Sequence, residues 1–111
     1  MRLPNADRAV VAQEKITGYL LSLSSPDGAS KARFFYLFGF RREQWQVLAQ
    51  ALRELCLQYE VAEVLEKEYG TQHVIIGQIT SPDGRNPLVK TVWQFDHGVE
   101  VPRLITAYPP D

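Results

Sequence analysis

The chain has 111 residues, a single Cys and a formal net charge of −1, with 45% hydrophobic and 23% charged residues. That length allows one domain, residues 1–111, built on one core, and the composition excludes a disordered or low-complexity chain. Cys56 has no second Cys to pair with, no apolar run is long enough to cross a bilayer, and Pro4, Asn5 and Asp7 stand where a signal peptide would be apolar, so the expectation is a soluble cytoplasmic protein. Charge is unevenly spread, since residues 1–42 carry seven Lys/Arg against three Asp/Glu and residues 43–70 carry two against six. A basic first third gives a neutral protein a local phosphate-binding face, although a solvated surface of mixed sign accounts for the charge alone.

Taken in chain order, Ile16, Tyr19, Leu20 and Leu23 recur at helical spacing and predict a helix over Gln13 to Leu23, weakened by Gly18. Ser25-Pro26-Asp27-Gly28 has the chemistry of a tight turn. Ser30 then caps a short helix, Lys31 to Phe38, that Gly39 ends. The third helix, Glu43 to Glu60, carries a stripe of Trp45, Leu48, Leu52, Leu55 and Tyr59. Cys56 borders that stripe and reads as core filler rather than nucleophile.

Extending this helix to Tyr69 would make it too long for so small a domain, so Glu63 to Tyr69 is read as a strand. Gln72 to Ile79 follows as a β-branched strand with Gly77 as a bulge or close-approach point, and Ser81-Pro82-Asp83-Gly84 repeats the turn chemistry. Leu88 to Phe95 and Arg103 to Tyr108 complete the set. The fold class is therefore α+β, about three N-terminal helices packed on one face of a four-stranded antiparallel β-sheet. Phe34, Phe38, Trp45, Leu48, Leu52, Leu55 and Ile76 are the expected core between the layers.

No metal site suggests itself, because His73 and His97 are far apart and neither has a Cys or carboxylate at ligand spacing; no glycine-rich phosphate loop occurs either, and no cofactor is expected. What remains is a polar set: Lys31 and Arg33 at a helix start, Lys90 on one strand, and Arg103, Thr106 and Tyr108 on the next. Strict alternation puts Leu104, Thr106 and Tyr108 on one face and Arg103 on the other. The bland readings stand beside the sharp ones. Thr106 and Tyr108 are good strand formers, His97 suits an exposed turn, and Trp93 is more often core than a platform for a base. His73, at a strand start, is ambiguous.

The stretches "NADRAVV", "KITGYLL", "SPDGASKARFFYLFGF", "YGTQHVIIGQITSPDGR", "VKTVW" and "PRLITAYP" together resemble a small, functionally uncharacterised bacterial domain family similar to the C-terminal toxin modules of polymorphic and contact-dependent systems. The Thr-Val-Trp strand, turn and Arg-Leu-Ile-Thr-Ala-Tyr-Pro ending also resembles the last hairpin of the barnase, EndoU, colicin and RelE ribonuclease superfamily. That second resemblance implies metal-independent RNA cleavage by attack of a 2′-hydroxyl on the adjacent phosphate, with a cognate inhibitor or antitoxin protein as partner. Under it, Lys31 and Arg33 match the basic pair, Arg103 the charge clamp and Thr106 and Tyr108 the polar end of the last strand, with Tyr108 or His73 as proton donor. This chain has Ser25 where relatives carry a His before the Pro-x-Gly turn, which puts the catalytic base in question. The alternative is a non-catalytic module that binds RNA or a protein, such as one member of a toxin–antitoxin or immunity pair.

Overall fold

The fold was obtained as a computed structural model that describes residues 1–111. A 3-10 turn, Ala6–Arg8, leads to helix α1, Gln13–Lys15, which widens without a break into a π-helical turn, Ile16–Leu20. Closure of that turn by the Leu21 N–H on the Ile16 carbonyl at 2.8 Å ends the helix short of the expected Leu23. Helix α2, Ala29–Leu37, starts two residues earlier than its sequence signals placed it. Ser30 is therefore inside the first turn and not its cap. The upstream turn holds the helix start instead, with Ser25 Oγ accepting the Gly28 N–H at 3.2 Å.

Gly39, at φ 99°, ends α2 as expected, with its own N–H on the Tyr36 carbonyl and the Phe40 N–H on that of Phe35. The accompanying apolar contact is present, since the Phe35 and Phe40 rings meet edge to face at 5.8 Å. Helix α3, Trp45–Gln58, follows a 3-10 turn at Arg42–Gln44 and stops where Tyr59 becomes extended. Glu63–Lys67 is then strand β1, so the chain does leave the helix where its length argued it must.

With β2 (Gly70–Gln78), β3 (Leu88–Asp96) and β4 (Arg103–Tyr108), the sheet is an antiparallel meander in the order β1-β2-β3-β4. The N-terminal segment adds one parallel bridge, Val10 to Arg103, on the outer edge of β4. The loop between β2 and β3 reuses its Ser-Pro-Asp-Gly stretch differently from the first. Asp83 accepts from Ser81 Oγ and from the Arg85 backbone and guanidinium, and the Arg85 backbone N–H leads the contacts that hold its carboxyl down at about 2.

The helices cover one sheet face, where Leu48, Leu52, Leu55, Phe35 and Phe40 pack with Ile75, Val89, Trp93, Leu104 and Ala107. Phe34, Phe38 and Trp45 lie partly buried against that cluster. Ile76 does not belong to it. It is 39% exposed because strand alternation gives the core side to Ile75. Gly77 is a close-approach point and not a bulge, for the Tyr59 ring occupies the space a Cβ would need. Trp93 is wholly buried, its Nε1 donating to Thr91 Oγ1 at 2.8 Å, which assigns it to the core. Burial pushes the Cys56 thiol up to about 11, consistent with a packing role.

Candidate active site

The bulge in this sheet lies on β4 opposite the Val92/Trp93 step. Val92 pairs with Thr106 and Trp93 with Leu104, leaving Ile105 as the extra residue. Strict alternation therefore fails on β4. Leu104 and Ala107 both reach the core, while Arg103, Thr106 and Tyr108, paired with Gln94, Val92 and Lys90, share the face away from the helices. The sequence placed Arg103 out of phase with the two hydroxyls, and the bulge brings it into phase.

Of the six residues to which the ribonuclease resemblance gives a role, Lys31, Thr106 and Tyr108 come together at the β4 edge, and Lys90 joins them. Lys31, in the first turn of α2, donates to the Asp27 carbonyl at 3.1 Å and sets its ammonium 5.9 Å from the centre of the Tyr108 ring. Lys90, opposite Tyr108 in the sheet, lies 5.8 Å from the same ring. The π turn contributes Tyr19, whose hydroxyl meets Thr106 Oγ1 at 3.1 Å and whose ring has Lys15 and Lys31 each at 5.1 Å. A groove of about 320 Å³ opens here between Ser30, Lys31, Tyr108 and Pro109.

The electrostatics are one-sided. Lys15, Lys31 and Lys90 take part in none of the three ion pairs of the molecule, so three ammonium groups surround two phenols with no carboxylate partner. Burial raises the Tyr19 pKa, but the hydrogen bond to Thr106 and the nearby ammonium groups of Lys31 and Lys15 together outweigh it and hold the phenol below its ordinary value. A phosphodiester matches this arrangement, as an anion that needs cations and hydrogen-bond donors together.

The other three nominated residues lie elsewhere. Arg33 is exposed on α2, two positions past Lys31, and residues at that spacing point to different sides of a helix. Arg103 shares the open face but sits at the far end of β4, where Asp96 takes both its Nε at 2.9 Å and its other guanidinium nitrogen at 3.2 Å. His73 faces the other way, edge-on to Phe95 at 5.0 Å, in a separate groove of about 450 Å³ that also includes Glu100. The residue is 7% exposed, and Nδ1 is buried without a hydrogen-bond partner. Burial lowers its pKa against an opposing pull from Glu66. The larger groove thus offers a desolvated imidazole and a carboxylate, whereas the smaller one concentrates cations. Tyr19 and Lys15 escaped sequence reasoning because Tyr19 reads as part of an apolar stripe. The one available signal was their i, i+4 spacing, which stacks an ammonium over a ring on one helix face.

In overall fold, the chain is similar to one from a contact-dependent growth inhibition toxin–immunity protein complex of Klebsiella pneumoniae 342, with a TM-score of 0.73 over 96% of this chain and 97% of that one, at 15% identity. No curated protein sequence matches it. No helix is long and apolar enough to cross a membrane. The family model described as "Domain of unknown function (DUF6883)" matches residues 2–111, and the chain belongs to that family.

Proposed function

We propose that this domain is a metal-independent endoribonuclease of the toxin type, acting on RNA at the Lys31 groove and controlled by a cognate inhibitor protein. The observation that carries this reading is the set of three unpaired ammonium groups around two phenols at the rim of an open sheet face. Attack of a 2′-hydroxyl on the adjacent phosphorus places extra negative charge on the non-bridging oxygens. Lys31 and Lys90 supply positive charge where it develops, and Tyr108 donates a proton to the leaving 5′-oxygen. Lys15 extends the cationic track along the strand for a neighbouring phosphate. The fold shared with a chain of a toxin–immunity protein complex supports the inhibitor as partner.

Purified protein should cleave cellular RNA in EDTA and leave 2′,3′-cyclic phosphate ends. Lys31→Ala should slow that cleavage by on the order of 10²–10³, the usual cost of one donor aimed at a transition-state charge. Intact RNA at high protein concentration, with harmless expression in a bacterium lacking any partner, would defeat the proposal. The placement of both histidines outside the lysine cluster favours the second reading, a non-catalytic RNA- or protein-binding module. Salt-sensitive RNA binding without cleavage is the result that selects it.

A further inference from the structure

We infer that Tyr19 is the base that takes the 2′-hydroxyl proton in this site, an assignment that rests on the ribonuclease reading above. Its hydroxyl is fixed from the sheet by Thr106 Oγ1 at 3.1 Å, and its ring is flanked by Lys15 from its own helix and Lys31 from α2, each at 5.1 Å. Those are the charged groups that face it, and both are cations. Either oxygen of the Tyr19–Thr106 pair can donate, so an ionised Tyr19 keeps the contact by accepting from the threonine hydroxyl. The phenol is also the acidic side of ordinary for tyrosine, despite its burial. Lys31 lies within 6 Å of both the Tyr19 and Tyr108 rings, so a phosphate seated on that ammonium has one phenol to take a proton and another to give one.

The 2′ O–H bond breaks and its proton passes to the ionised Tyr19 oxygen, while the freed electron pair forms the O2′–P bond. The P–O5′ bond breaks, and the departing 5′-oxygen takes the proton of the Tyr108 hydroxyl. The products are a 2′,3′-cyclic phosphate and a 5′-hydroxyl, and proton exchange with water resets the two phenols.

The test is the pH dependence of kcat/KM on an RNA substrate in EDTA, using the full chain. In the wild type the rate should climb tenfold per pH unit through neutrality towards a plateau. Tyr19→Phe should lose that climb together with on the order of 10²–10⁴ in rate, the range for one general base. Thr106→Val keeps the phenol but removes its hydrogen bond, and should move the plateau to higher pH. Tyr69→Phe, on the turn between β1 and β2, should leave the profile unchanged. An active wild type whose Tyr19→Phe variant keeps both rate and climb overturns this assignment alone, whereas a wild type inert towards RNA overturns it together with the proposed function. Should Tyr19→Phe fail to fold, Thr106→Val decides: a displaced plateau supports the assignment and an unmoved one overturns it.

Discussion

Gly28 presses its Cα against the Tyr19 carbonyl so closely that no side chain fits between them. Gly28 lies in ordinary right-handed helical territory, so its requirement is space and not conformational freedom. The contact locks the start of α2 onto the π turn, and with it Lys31 onto Tyr19. Gly28→Ala should therefore cost about 1–3 kcal/mol of stability by overpacking against backbone, and should weaken RNA cleavage in whatever fraction remains folded. Chemical denaturation measures the first effect. A variant as stable as the wild type would show that the helix start can slide.

Tyr108→Phe keeps the ring that Lys31 and Lys90 flank and removes only the hydroxyl, so it separates proton donation from packing. Activity should fall while the melting temperature barely moves. Equal activity in the two proteins would leave Tyr108 as a surface for the lysines and nothing more.

The two arginines provide the contrast. Arg33→Ala should leave cleavage within a few-fold of wild type because its side chain leaves the helix on another side from Lys31. Arg103→Ala removes a guanidinium already bound to Asp96, and is expected to do little as well. Binding of single-stranded RNA, followed against salt, is the sharper readout. Losing Lys31 should reduce the slope of log affinity on log salt by about 0.7, the share of one phosphate contact, and losing Arg33 should not.

In the core, Leu52→Ala should cost about 2–5 kcal/mol, from lost transfer energy plus the cavity left among fully buried neighbours. A reversible melt changed by less than about 1 kcal/mol would mean that the site collapses without cost.

His73 makes stability depend on pH. Because burial holds its imidazole below the ordinary value of 6.5, the unfolded chain takes up a proton near that pH which the folded chain refuses. Stability is thus fully present above about 6.5 and falls as pH drops from there through the folded value. His73→Phe should flatten that decline in melts compared between neutral and mildly acidic buffer. A variant that declines as steeply as wild type would place the acid sensitivity on other groups.

Much of this architecture was legible in residue order. The stripe Leu48, Leu52, Leu55 fixes the buried side of α3, and the length argument at Glu63 rightly ended that helix before β1. Local periodicity carried those inferences, and local periodicity also explains the failures. Ile76 looks as apolar as Ile75, and only the parity of the strand sends it outward. On β4 the parity rule itself breaks at Ile105, a defect set by how two strands pair, which no pattern within one strand announces. The lysine cluster is hidden for a similar reason. Its members come from α1, α2 and β3, and they meet only because the helices run past the β4 edge.

The π turn at Ile16–Leu20 holds one more residue than an α-helical turn would, a difference of the size that a single-codon insertion makes. Everything after such an insertion is rotated by about 100° relative to everything before it. Gly18 is the natural residue to regard as the surplus, since nothing lies within 4 Å of where its side chain would be. Deleting it would tighten the turn to an ordinary helix and turn Tyr19, Leu20 and Leu21 together relative to Ile16, swinging the phenol away from Thr106 and carrying two wholly buried leucines out of register with the core. Chain length at this one point, rather than the identity of any side chain, thus sets whether Tyr19 meets Thr106 and the two lysines.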